Sequence, residues 1–217
     1  YLVPLTNEGP WKWLLDNPMP LWSYATFTQN FLMAQANVHG AGFMGVTWSL
    51  AIEEQFYLLL PFVIRYVPPS MLKKLIFVLI LAAPMLRVAI HLTGDHRELA
   101  NYVLLPTRWD ALLLGVAISL AIRDERAMSW LRRHQRQILI AAGATGLMLL
   151  PLHLLGYAAR NVVLVFGGYT LIALFYAVLL LDMTVRGNSM LKRWLRSRAL
   201  VYCGTISYGL YLLHQPV

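Results

Sequence analysis

Residues 47–61 read TWSLAIEEQFYLLLP, and two adjacent carboxylates, Glu53 and Glu54, sit inside a run that is otherwise apolar and aromatic. In hydrocarbon an ionised carboxylate costs roughly 3 kcal/mol to insert, so an acid inside a membrane helix marks function by default. The medium around the stretch therefore decides how it is read.

Composition identifies that medium. Of the 217 residues, 59% are hydrophobic and 13% are charged, with a mean hydropathy of +0.57. A soluble domain of this size carries about 25% charged residues. Several stretches instead reach the roughly 20 apolar residues that cross about 30 Å of hydrocarbon as a helix. The fold class that follows is all-α, a polytopic transmembrane helix bundle of about six spans, drawn at 46–65, 72–93, 103–122, 136–156, 161–182 and 200–217. No soluble domain or low-complexity linker separates the spans, so residues 1–217 read as a single membrane domain.

A net charge of +8 raises nucleic acid as a partner, but the basic residues cluster in short loops between spans, which favours the lipid bilayer and excludes nucleic acid. Arg65, Lys73 and Lys74 share one loop, 123–136 holds five arginines, and 186–198 holds Arg186, Lys192, Arg193, Arg196 and Arg198. The alternate loops carry only Arg97 and Arg160. By the positive-inside rule the first three loops are cytoplasmic and the other two face outward, as do the first 45 residues with their single Lys12.

The opening NEGPWKWLLDNPMPLW, rich in proline and tryptophan, suits a membrane interface, and SYATFTQNFLMAQA reads as one short amphipathic helix. Cys203 is the single cysteine, which excludes an internal disulfide. Tyr1 is not an initiator and no signal-peptide pattern is visible at the start, while LYLLHQPV stops inside a helix, so both ends read as cuts in a longer protein.

This topology sets depth. At 1.5 Å per residue, Glu53 lies roughly 10 Å below the outer end of its span. Arg87 and His91 close an outward-running helix, Arg108 and Asp110 open the inward-running one, and His153 and His214 end outward-running helices. Polar residues of five spans thus gather in the outer half of the membrane, whereas a transporter more often holds them near the midplane.

On the first span, Ser49, Glu53, Phe56 and Tyr57 share a face by their spacing of three and four, and Glu54 points about 100° away. Glu53 is open to two roles, base or charge partner in a polar site, or half of an ion pair joining two helices. In LLPTRWDALLLG, residues 104–115, Arg108 and Asp110 are either an interfacial cap with a snorkelling arginine or a site in which Arg108 meets Glu53 at matched depth. In GTISYGLYLLHQP, residues 204–216, Ser207, Tyr211 and His214 recur at i, i+4 and i+7, a packed interfacial face or part of a site. Arg87 lies deep enough to require a carboxylate, Glu53 or Asp110. His39, His91 and His96 lack metal-ligand spacing, so no metal is expected, and neither a GxSxG elbow nor a P-loop is present. The glycines at 143, 146, 167 and 168 read as close helix-packing positions.

TWSLAIEEQFYLLLP, LLPTRWDALLLG and ISYGLYLLHQP, in this order, resemble the acyltransferase 3 family of bacterial multi-pass membrane acyltransferases. The family signature of Trp, Ser, Leu, then Glu, then Phe-Tyr is met by Trp48, Ser49, Leu50, Glu53, Phe56 and Tyr57. The resemblance implies a multi-pass bundle in the cytoplasmic membrane that moves an acyl group, commonly acetyl, from acyl-CoA to a hydroxyl of an extracytoplasmic glycan. The donor is a substrate, and no permanently bound cofactor is implied. The family's catalytic histidine belongs to earlier membrane helices, so these 217 residues correspond to the C-terminal portion of the domain and are not expected to act alone. Glu53 is then the candidate catalytic residue, and Ser49, Tyr57, Arg87, Arg108, Asp110 and His214 are the candidate substrate-binding residues. The alternative is a proton-coupled transporter or flippase for a lipid-linked glycan, with Glu53, His91 and His214 in the proton path; a third reading is a membrane scaffold whose polar residues only pair helices.

Overall fold

A computed structural model describes residues 16–93, 98–153, 161–185 and 190–214. Every element among the described residues is helical. The tryptophan-rich start, His96, Arg97, Arg160 and Arg186 lie outside the described residues, as does the side chain of His153.

Where the sequence suggests one amphipathic helix near the start, the structure has two, α1 (Leu21–Ala25) and α2 (Gln29–Ala36). Phe27, at φ 53°, separates them. α2 also turns Gln29 and Asn30 inward, because both amides find partners there. Gln29 Nε2 donates to the Thr47 carbonyl at 2.9 Å. Asn30 Nδ2 donates to the Val103 carbonyl at 3.0 Å, and Gln55 Nε2 donates to Asn30 Oδ1 at 2.9 Å and to the Phe27 carbonyl at 2.6 Å.

A single turn, α3 (Gly42–Gly45), leads into α4 (Thr47–Tyr66), which carries the TWSLAIEEQFY stretch. Ile52 and Phe56, four residues apart, form the buried stripe of α4. They pack with Leu72 and Ile76 of α5 (Pro69–Leu92) and with Leu105 and Leu113 of α7 (Leu105–Arg123). The one-turn helix α6 (Ala100–Val103) lies between those two. Pro69 and Pro106 stand in the first turns of α5 and α7, where a missing N–H removes no helical hydrogen bond.

α5 and α7 run antiparallel. Lys73 Nζ meets Asp124 Oδ2 at 2.8 Å at one end, and Arg87 meets Asp110 at the other. Asp124 also caps α8 (Glu125–Arg133) by accepting from the Arg126 and Ala127 amides at 3.1 and 3.2 Å. α9 (Gln135–Leu149) ends in a 3-10 turn, Leu150–His153, that contains Pro151. α10 (Asn161–Val185) packs against both α9 and α7, and holds a π turn at Leu164–Gly168. A Cβ on Gly146 would lie 2.9 Å from the Phe175 ring, which makes α9 and α10 a close pair, whereas Gly143 and Gly167 face open space. α11 (Met190–Leu195) and α12 (Arg198–Leu213) follow, and no residue of α12 is buried.

The described surface is inside-out relative to a soluble protein. Leu58, Phe77, Met85, Leu147 and Tyr176 are each more than half exposed, while Arg87, Asp110, Asn30 and Asn101 are buried. Exposed apolar surface on this scale suits lipid rather than water.

Among the described residues, three helices are long and apolar enough to cross a membrane: Pro69–Leu92, Ala100–Arg123 and Asn161–Val185. They do not confirm the expected six spans. α4 has the length, but Glu53, Glu54 and Gln55 interrupt its apolar run.

Candidate active site

Two polar constellations emerge. The first is buried where the end of α5 meets the start of α7 and the π turn of α10. Arg87, with no exposed surface, places Nη2 3.1 Å from Asp110 Oδ2 and within hydrogen-bond reach of the Thr170 hydroxyl. Its Nη1 donates to the Thr107 carbonyl, and its Nε to the Val165 carbonyl at 3.4 Å. Thr170 Oγ1 donates onward to Asp110 Oδ2 at 2.6 Å. The wider i→i+5 winding of a π turn exposes carbonyls to side-chain donors, which is how Val165 reaches Arg87. Of the two acids offered by the sequence, Arg87 therefore takes Asp110. With its guanidinium bonded to protein on three sides, Arg87 is a brace for three helices.

Arg108 is different. It sits two residues before Asp110 on α7, and its guanidinium lies 4.3 Å from the Tyr169 ring centre and 5.6 Å from that of Tyr102. It makes no ion pair with Glu53. The reason is geometric: α4 presents Ile52 and Phe56 to α5 and α7, and Glu53, about 100° further round, points away. Among the described residues, Arg108 thus keeps its N–H donors available while two rings hold its plane.

Tyr102 and Tyr169 also line a cavity of about 690 Å³. Its wall includes His91 from α5, Glu98 and Asn101 around α6, Asn161 and Val165 from α10, and His39. Burial lowers the pKa of His39 below the ordinary histidine value, which favours a neutral imidazole at neutral pH. Its ring meets Tyr102 edge-on at 6.1 Å.

The second constellation lies on α4. Glu53 and Tyr57 are exposed, Glu54 is half-buried, and Phe56 turns inward, away from the face it shares with them by spacing alone. Ser49 Oγ is 2.6 Å from the Tyr211 hydroxyl, which also donates to the Val46 carbonyl at 2.9 Å. His214 stays on α12, with Nδ1 at the Tyr211 carbonyl and its ring 5.7 Å from that of Tyr211. Trp48, whose ring centre is 4.4 Å from that of Tyr102, joins this face to the cavity wall.

The structure thus unites Arg87 with Asp110, places Arg108 beside them behind Tyr169, and gathers Ser49, Glu53 and Tyr57 elsewhere on α4. It also reveals participants the motifs do not mark: Thr170, Asn101, Asn30 and Gln55. Gln55 stands inside the opening stretch, directly after the two acids, and an amide in an apolar run is the signal that points to it.

The model of the acyltransferase domain family matches residues 10–217. The chain belongs to the acyltransferase 3 family. It is 29% identical over 175 residues to the O-acetyltransferase OatA of Staphylococcus aureus (strain NCTC 8325 / PS 47), covering 78% of this chain and 28% of that protein. Identity to the peptidoglycan O-acetyltransferase OatA of Listeria monocytogenes is 27% over 175 residues, with the same shares of 78% and 28%. Identity to the putative peptidoglycan O-acetyltransferase YrhL of Bacillus subtilis is 33% over 177 residues, with shares of 78% and 27%. The chain therefore spans about 28% of the length of the first of these relatives. No solved structure matches the chain. The chain is an acyltransferase 3 family member built of membrane-type helices.

Proposed function

We propose that this chain is part of an integral membrane O-acyltransferase of the cytoplasmic membrane. It moves an acetyl group from acetyl-CoA to a hydroxyl of an extracytoplasmic glycan of the peptidoglycan type. The observation that carries the reading is the family match over residues 10–217, joined to relatives named as O-acetyltransferases of peptidoglycan.

Acyl transfer from a thioester to an alcohol forms one ester bond and breaks one thioester bond. The hydroxyl proton must leave to a base and return to the departing thiolate, and the carbonyl oxygen needs donors while it carries negative charge. Glu53 orients and charge-stabilises the histidine that serves as base or acyl carrier in the family's earlier helices. Tyr57, one turn on, and Ser49, held by Tyr211, complete the polar face on which that chemistry occurs. Arg108, with unfilled donors, receives an anionic or developing anionic oxygen. Arg87, Asp110 and Thr170 hold α5, α7 and α10 in register behind it, and His214 closes the α12 side.

In the full-length protein, Glu53→Gln abolishes acetyl transfer to glycan from labelled acetyl-CoA while membrane insertion persists. Retention of wild-type transfer in that variant would sink the assignment. Glycan translocation in vesicles without acyl-CoA would instead favour the transporter.

A further inference from the structure

The cavity between α5, α6 and the start of α10 is not part of the Glu53 face, and its chemistry differs. Asn101 lines it, is 2% exposed, and neither Nδ2 nor Oδ1 of its amide has a hydrogen-bond partner among the described residues. Buried amides are nearly always paired, and one left open on both atoms is destabilising unless another molecule fills it. Asn37, by contrast, uses its Oδ1 to accept from the Leu99 amide at 3.2 Å and so braces the wall. Asn161, Tyr102, Tyr169, His39 and His91 add hydrogen-bonding groups and ring faces.

Charge decides what such a wall accepts. Among the described residues that line it, no lysine or arginine contributes, and the acidic side chain is Glu98. The phosphates of an acyl-CoA would meet no lysine or arginine among those described residues. A sugar presents hydroxyl and amide edges around a body that stacks on aromatic rings, and about 690 Å³ is within the roughly 300–1,000 Å³ typical of small-ligand sites.

We infer that this cavity is a binding subsite for a neutral, N-acylated sugar residue of the acceptor glycan, with the Asn101 amide as its specificity-determining contact. The Asn101 amide donates to and accepts from the hydroxyl and acetamido groups of that sugar, which reside against it while Tyr102 or Tyr169 covers a ring face. Trp48, packed on Tyr102, continues the wall to the α4 face where transfer occurs. The inference rests on the acyl-transfer reading for the identity of the sugar as acceptor.

The test uses full-length protein in nanodiscs and a soluble β-1,4-linked tetramer of N-acetylglucosamine as probe. Binding is followed by saturation-transfer NMR without acyl-CoA, and KM for each substrate is measured separately. Asn101→Leu, close in shape but without donor or acceptor, weakens tetramer binding and raises its KM by about ten- to hundredfold, while KM for acetyl-CoA stays within about twofold. Thermal stability holds or rises, since the amide had no protein partner to lose. If Asn101→Leu does not fold, Asn161→Ala at the same wall carries the comparison, with weakened tetramer binding expected. Unchanged tetramer affinity in the folded variant overturns the inference and leaves the acyl-transfer reading standing, as does a parallel rise of both KM values. Tetramer binding that depends on Asn101 in a protein without transfer activity would do the reverse.

Discussion

Arg87 shows how far a single residue constrains its surroundings. A guanidinium with no exposed surface is stable in such a position only when its charge and its donors are matched, and Asp110, Thr170, Thr107 and Val165 supply the match. Removing one member of a buried pair leaves an uncompensated charge and typically costs about 3–5 kcal/mol. Asp110→Ala is therefore expected to lower stability by about that amount in a detergent thermal melt, and Arg87→Met combined with Asp110→Leu recovers most of it. Equal losses in the single and double variants would refute the pairing as the source. The requirement for a carboxylate was legible in the sequence, because depth alone makes a lone arginine untenable. The surroundings of Arg108 were not, because its rings arrive from Tyr102 and Tyr169, on elements whose approach no local pattern encodes.

At the scale of elements, the turn from α7 to α8 is fixed by Asp124, which caps α8 and reaches back to Lys73 on α5. The hydrogen bond from Lys73, then that from the Ala127 amide, holds the Asp124 carboxyl below the ordinary aspartate range. A carboxyl with a lowered folded-state pKa contributes stability above its unfolded value, and that contribution fades as pH falls through the folded value. Asp124→Asn keeps the cap, since asparagine caps as well as aspartate, but removes the charge. The melting difference between wild type and Asp124→Asn should be full near neutral pH, shrink below about pH 3.9, and close at lower pH; a difference independent of pH would show that Lys73 and the helix dipole play no part. Helix positions were largely readable, because the apolar runs placed α4, α5, α7 and α10 within a few residues of where they lie. The π turn at Leu164–Gly168 and the split between α1 and α2 were not, since each depends on a tertiary partner, Arg87 in one case and Gln55 in the other. The face of Glu53 was placed by spacing, yet Phe56 left that face because the apolar stripe shared with Ile52 outweighs the motif.

For the whole molecule, the ends of the α5–α7 pair differ in kind. Lys73, Asp124 and the arginines of α8 lie at one end, and the cavity with Arg87 and Asp110 lies at the other. Clustered basic residues stay on the cytoplasmic side because carrying them across the bilayer is costly, which would turn the cavity outward. α8 supports this orientation: it buries Leu131 and ends in Arg132 and Arg133, as expected of a helix lying along an anionic surface. Orientation also bears on chemistry, since an amide-lined cavity facing outward is placed for glycan, and the same cavity facing inward would be bathed in acyl-CoA. Cysteine labelling decides between them. With the exposed Cys203 replaced by serine, Val38→Cys beside the cavity mouth should react with a membrane-impermeant maleimide in right-side-out vesicles. Arg126→Cys on α8 should react only after permeabilisation. The opposite pattern would invert the topology and, with it, the assignment of the cavity to the acceptor.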